Sequence, residues 1–179
     1  MSTWVFGYGS LLWNPGFTPA STCRAVLSDF HRSFCMLSIH HRGTVEEPGL
    51  VLALDAKQGA QCTGVAFEIA PDEEAQVMKM LRERELISSA YVEQHVTLTH
   101  DDGTQFTAIA YVIDPKHDQY CHFDLETQAQ MIARSVGGRG PNPEYLYNTA
   151  DHLVQMGISD NEMQWLVSRV RQLEGVAAQ

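Results

Sequence analysis

Residues Trp4–Phe6 open the chain as an apolar run that ends in Gly7, Tyr8, Gly9 and Ser10. An apolar run closed by glycines predicts a buried strand finishing in a loop. The next segment, FTPASTCRAVLSDFHR, shows no clean period and reads as loop. SFCMLSIHH, GLVLALD and CTGVAFEI are short, partly β-branched apolar runs bounded by turn residues, which predicts three strands. VEQHVTLT sets Val92, Val96 and Leu98 against Glu93, His95, Thr97 and Thr99, a period of two. Asp102–Gly103 follows as turn chemistry and QFTAIAYVI returns, so the pair predicts a β-hairpin.

The period changes to 3.6 in four places. Pro71 with Asp72, Glu73 and Glu74 opens a helix whose first-turn acids suit the helix dipole. Asp124 is placed to cap LETQAQMIARSV, with Gly137 at its end. Asn142 is placed to cap a helix starting at Pro143 and running through Tyr145, Leu146, Ala150 and Leu153. Ser159 and Glu162 have capping-box spacing ahead of the stripe Met163, Leu166, Val167, Val170 and Leu173. Strands and helices do not alternate as βαβα, which favours an α+β fold, a small curved sheet or barrel with helices outside. With 179 residues, no linker and no internal repeat, one domain over 1–179 is expected.

Charge narrows the partners. A formal net charge of −10 with no basic run opposes nucleic acid and anionic membranes. The apolar start is too short for a signal peptide and lacks its basic flank, and no run approaches membrane-spanning length. Cys23, Cys35, Cys62 and Cys121 are scattered without a CxxC pair, which fits reduced thiols in a cytoplasmic protein.

The candidate chemistry lies in two places. GYGSL lacks the third glycine and following helix pattern of a dinucleotide fingerprint, the Gly-Lys-Ser/Thr of a P-loop and the second glycine of a nucleophile elbow. It remains either a plain turn or a strand-end loop whose glycines let a ligand approach the backbone. In the helix after Pro71, Val77, Met78 and Leu81 define the apolar face, and Glu85 lies one turn beyond Leu81 on that face. Glu83 falls on the polar side. Glu85 is then either turned outward or paired with an arginine such as Arg42, or it is a general acid/base of raised pKa. His40–His41–Arg42–Gly43 follows a strand and is at most a pocket lining. His117, Cys121 and His122 lack the spacing of a metal site, so no metal is expected. Tyr145, in a first helical turn, is either half-buried packing or a hydroxyl offered to a ligand.

Together, VFGYGSLLW, HRGTVEEPGLVLAL, LRERELISSAY and GRGPNPEYL resemble the ChaC-type glutathione-specific γ-glutamylcyclotransferases, in order and spacing, over nearly the whole chain. The resemblance implies the γ-glutamylcyclotransferase-like fold, a small mixed β-barrel with flanking helices. It implies a carbon–nitrogen lyase of the amidine-lyase type that turns glutathione, a small-molecule substrate, into 5-oxoproline and cysteinylglycine without cofactor. It carries γ-glutamyl binding onto Tyr8, Gly9, Ser10 and Leu11, with Val5, Phe6 and Gly7 completing the segment. The catalytic glutamate of the family's Arg-Glu pair maps onto Arg84–Glu85, and the tyrosine of EYL onto Tyr145. RERE also offers Arg82–Glu83, but the helical face and the following LISSAY select Glu85. A glycine usual after that glutamate is replaced by Ser88–Ser89–Ala90, which bears on the pocket rim. Another γ-glutamyl compound as substrate, or a non-catalytic γ-glutamyl-binding module on this fold, remain the alternatives. The resemblance specifies no oligomeric state.

Overall fold

The computed structural model describes residues 2–87 and 89–177, the side chains of 176 and 177 excepted. Five strands close a barrel in the order β1 (Thr3–Gly7), β3 (Gly49–Ile69), β2 (Ser21–Ser38), β4 (Tyr91–His100) and β5 (Gln105–Ile113). The barrel is mixed: β1 runs antiparallel to β3 in the register Thr3↔Ile69 to Gly7↔Val65, and parallel to β5 at Val5↔Ile109. The chain divides into two compact units, Met1–Ser33 with Ala53–Asp118 and Phe34–Leu52 with Gln119–Gln179, so β2 and β3 contribute to both.

In the first unit, Phe6, Tyr8, Ala25, Leu27, Leu54, Ala66, Leu98 and Ala110 share one core cluster. Val5, Leu11, Ile69, Ile109 and Tyr111 instead meet Val77, Met78 and Leu81 of α2 (Glu74–Glu85), as strand alternation requires of neighbours Val5 and Phe6. The β4–β5 hairpin forms as expected, with Val96 and Leu98 buried and Leu98 opposite Phe106, but Val92, opposite Val112, is exposed and Glu93 is the more covered residue there. Its turn is closed by Asp102, whose carboxylate accepts the Thr104 N–H at 2.9 Å. Gly64 of β3 sits so close to the Gly7 carbonyl that any Cβ there would collide with the backbone.

Two strand expectations are corrected. The segment read as loop is strand from Ser21 onward and runs without interruption into SFCMLSIHH as far as Ser38. Cys23, Ala25 and Leu27 face the core at period two, but the phase is lost at Asp29, which has φ +66°. Asp tolerates that conformation better than most residues, and its carboxylate accepts the Gly59 N–H at 2.9 Å. GLVLALD and CTGVAFEI are likewise one strand, because the polar stretch between them continues as exposed strand rather than turning.

In the second unit, α3 (Leu125–Arg134), α4 (Asn142–Gln155) and α5 (Asn161–Ala177) pack on one another. Asp124 caps α3 as expected, accepting the Thr127 N–H at 2.8 Å. Other helix ends differ. Pro71–Glu73 form a turn and α2 starts at Glu74. Helix α3 ends at Arg134, and Gly137 belongs to the two-residue strand β6 (Val136–Gly137), which pairs with β7 (Gly140–Pro141). Asn142 lies inside α4 instead of capping it, because its amide is engaged by Leu50: Oδ1 accepts the Leu50 N–H and Nδ2 donates to the Leu50 carbonyl, each at 2.8 Å. Asp160, not Ser159, caps α5 through the Met163 N–H at 3.0 Å. Among the described residues no helix is long and apolar enough to cross a membrane.

Candidate active site

Strand β1 delivers the glycine loop, and its own side chains are spent on the core. Val5 and Phe6 are essentially fully buried, on opposite faces of the sheet. A Cβ on Gly7 would stand 2.6 Å from the Phe67 ring. Tyr8 turns inward, and its hydroxyl donates to the Tyr111 carbonyl at 2.8 Å, so that proton is committed to the scaffold rather than to a ligand. The Tyr8 carbonyl accepts from Arg32 Nε at 2.9 Å, and the same buried guanidinium donates to the Thr63 carbonyl. Arg32 therefore fixes the loop from beneath.

Beyond Gly9 the chain makes a single helical turn, α1 (Ser10–Trp13), which the sequence pattern does not signal. Its bonds begin with Leu12 N–H to the Gly9 carbonyl. The Ser10 and Leu11 N–H groups precede that first bond, and orphan amides at a helix start are donors for an anion or carbonyl oxygen. Leu11 is buried against α2, whereas Ser10 is only partly covered.

Helix α2 brings the carboxylate. Val77, Met78 and Leu81 are buried, Glu83 is exposed, and Glu85, the last helical residue, has a side chain only 14% exposed. The arginine beside it is its neighbour Arg84, with Nε 3.4 Å from Glu85 Oε1. Burial pushes the Glu85 carboxyl above the usual carboxylate range, and the Arg84 charge only partly opposes this. Arg84 also reaches the loop: Nη2 donates to Ser10 Oγ at 3.3 Å and Nη1 to the Asn14 carbonyl at 2.6 Å.

On the barrel side of α2, the Tyr111 hydroxyl donates to Glu93 Oε2 at 3.2 Å. Glu93 is held in turn by two bonds from Arg82, at 2.9 and 3.0 Å. Burial, then the Glu93 and Glu85 charges, drive the Tyr111 pKa upward, so Tyr111 stays protonated. Arg32 and Tyr111 are the site residues that sequence reading passes over. Tyr111 sits in a correctly read strand, at a position where alternation alone gives only "buried".

Tyr145 belongs to the second unit. It is buried, its hydroxyl oxygen accepts the Leu52 N–H at 3.2 Å, and its ring meets Phe34 edge-on. The Arg42 guanidinium lies 5.8 Å over that ring and donates to the Pro141 carbonyl at 3.1 Å. His41 is pushed below the usual histidine range by burial and by the positive charges of Arg139, His40 and Arg42. Among the described residues, no three His, Cys, Asp or Glu side chains gather as metal ligands. Of the Ser88–Ser89–Ala90 segment, Ser88 lies outside the described residues, Ser89 has φ +58° and Ala90 is buried.

The chain is thus a mixed barrel whose first strand ends in a glycine loop, tied by an arginine to an interior glutamate. The chain belongs to the ChaC-like protein family, whose model matches residues 3–173. It is 36% identical over 174 residues to the glutathione-specific γ-glutamylcyclotransferase of Escherichia coli K12, covering 95% of this chain and 73% of that protein. Against the Schizosaccharomyces pombe enzyme of the same name, identity is 34% over 167 residues, with 83% and 81% covered. The crystal structure of a yeast γ-glutamyl cyclotransferase specific to glutathione superposes with a TM-score of 0.86 over 96% of both chains. At 22% identity that likeness speaks to the fold.

Proposed function

We propose that this protein is a glutathione-specific γ-glutamylcyclotransferase with Glu85 as its general acid/base. The observation that carries this reading is the interior carboxylate of Glu85, tied through Arg84 to the loop at the end of β1. The α-amine of the γ-glutamyl residue attacks its own γ-carbonyl carbon. A C–N bond closes the five-membered lactam, and the γ-amide C–N bond breaks to release cysteinylglycine. Nucleophile and electrophile share one molecule, so holding the γ-glutamyl chain bent supplies much of the acceleration.

One proton must leave the attacking nitrogen and one must reach the departing nitrogen. A single carboxylate that first accepts and then donates satisfies both, and no net proton is consumed. A pKa raised by burial brings Glu85 nearer neutrality, where both transfers are easiest. Backbone N–H groups at Ser10 and Leu11 suit oxyanion charge on the γ-carbonyl or the substrate carboxylate. Gly9 admits the ligand to the backbone, Gly7 makes room for the Phe67 ring behind it, and Val5, Phe6 and Tyr8 act through the main chain. Tyr145 supports the second unit through Leu52.

The test is incubation of the pure protein with glutathione and, separately, with γ-glutamyl amino acids and γ-glutamyl amines. Release of 5-oxoproline and cysteinylglycine from glutathione alone is the expected result. Turnover of the other γ-glutamyl compounds instead would move the substrate, and binding without product would reduce the protein to a γ-glutamyl-binding module.

A further inference from the structure

Arg84 occupies a position that the acid–base role of Glu85 does not by itself require. Its three guanidinium nitrogens each take a different neighbour: Nε faces Glu85 Oε1, Nη2 donates to Ser10 Oγ, and Nη1 donates to the Asn14 carbonyl. Ser10 is the first residue of α1 and Asn14 its C-terminal flank, so one side chain grips both ends of the turn that follows the glycine loop. With only one turn, α1 has little stability of its own. Its placement depends on what holds it from outside.

We propose that Arg84 is a positioning residue that locks the Tyr8–Leu11 loop and the Glu85 carboxylate into one register, with its cation set against that carboxylate. This rests on the cyclotransferase reading only for its kinetic arm. The rigid planar fork of arginine can serve three partners at fixed angles, while a lysine ammonium keeps the charge but not that geometry. Arg82, two residues earlier and on a nearly opposite face of the helix, is no substitute, because its Nε and Nη2 are held by Glu93 of β4.

Among the described residues, Arg84 and Tyr111 are the groups whose charges bear on Glu85. Arg84 shares its helix, and Tyr111 approaches from β5 as a protonated phenol. Behind Tyr111, Glu93 on β4 and Arg82 on α2 are bound to each other. Glu85 is disfavoured as an anion by burial, and Arg84 is the group that opposes this. Removing the cation therefore raises the Glu85 pKa further, and the acid limb of the kcat/KM profile moves to higher pH with it.

Two variants separate charge from clamp. In Arg84→Met both are lost. The Glu85 carboxyl resonance, followed by carbon NMR and assigned by its disappearance in Glu85→Gln, should titrate about 1–3 pH units higher, the usual range for losing an adjacent opposite charge. In Arg84→Lys that midpoint should stay within about half a unit of the parent, while the KM for glutathione rises roughly tenfold or more because the loop is released. The acid limb should follow the carboxyl midpoint in each variant. An unmoved midpoint in Arg84→Met overturns the charge role, and a parental KM in Arg84→Lys overturns the clamp. Should Arg84→Met not fold, Arg84→Lys decides the clamp and a neutral Arg84→Gln variant the charge. The carboxyl titration needs no turnover, so a protein that makes no 5-oxoproline breaks the proposed function and leaves this test standing.

Discussion

At the end of α2 and between α3 and α5, a glutamate meets an arginine with opposite consequences. Glu126 receives Arg169 as a fork, Nε on Oε2 and Nη2 on Oε1, each at 2.8 Å, with Gln130 donating as well. Its pKa is driven down to about 2, first by those Arg169 bonds. Glu85 meets Arg84 side-on at 3.4 Å, inside the fold, and its pKa goes up because burial outweighs the charge. The well-bonded pair is a strut whose carboxylate stays ionised at neutral pH. The poorly bonded one keeps a proton within reach. Proton-transfer chemistry needs the second arrangement, and a census of ion pairs would rank the two the wrong way round.

The strongest way to break this contrast is Glu85→Gln. It preserves size but cannot exchange a proton, so turnover should fall by about 10²–10⁴-fold while the fold is kept. A 5-oxoproline assay beside thermal unfolding checks both. The pH dependence has a definite sign. A carboxyl with a raised folded pKa binds its proton more tightly in the native state, so it costs stability as pH rises from the unfolded value, about 4.3, through the folded one. Glu85→Gln should therefore match the parent below that window and exceed it above.

Next in size is Asn142→Ala in the second unit, where the amide satisfies both backbone groups of buried Leu50. Leaving them unpaired costs about 1–3 kcal/mol for each, read as a fall in unfolding free energy by urea titration. A smaller effect is expected for Glu126→Gln. The parent gains stability from this depressed carboxyl above about pH 4.3 and loses it as pH falls towards 2, so the variant should unfold with a flatter dependence across that window. Turnover at neutral pH should not change. Smallest of all is Glu83→Gln, on the exposed side of α2, which should alter neither turnover nor stability by more than about 0.5 kcal/mol. An inactive Glu83→Gln would reverse the assignment of the two glutamates in RERE.

The helical period, with the following LISSAY, separated those glutamates: Glu83 is exposed and Glu85 covered, as a face set by Val77, Met78 and Leu81 demands. Long strands were harder. A residue such as Asp29, held at positive φ and bonded across to Gly59, keeps a strand going where local pattern announces its end. Helix caps failed where tertiary partners outbid local ones, as Leu50 does for the Asn142 amide. At the site, residue identities were legible but their bonds were not. Nothing local to YGSL tells that the Tyr8 hydroxyl is taken by Tyr111, or that Arg32 holds the Tyr8 carbonyl, because those partners are remote in sequence.

That remoteness sets the order of events in synthesis. The glycine loop leaves the ribosome well before β5, because the Tyr8–Tyr111 bond spans 103 residues and β1 meets β5 in parallel register at Val5↔Ile109. Pairings of that separation carry a large loop-closure entropy and form late, in the manner of slow-folding, high-contact-order topologies. The first strand must wait, apolar and unpaired on one side, until the fifth has been made. Throughout that interval its unpaired edge is open to pairing with other chains.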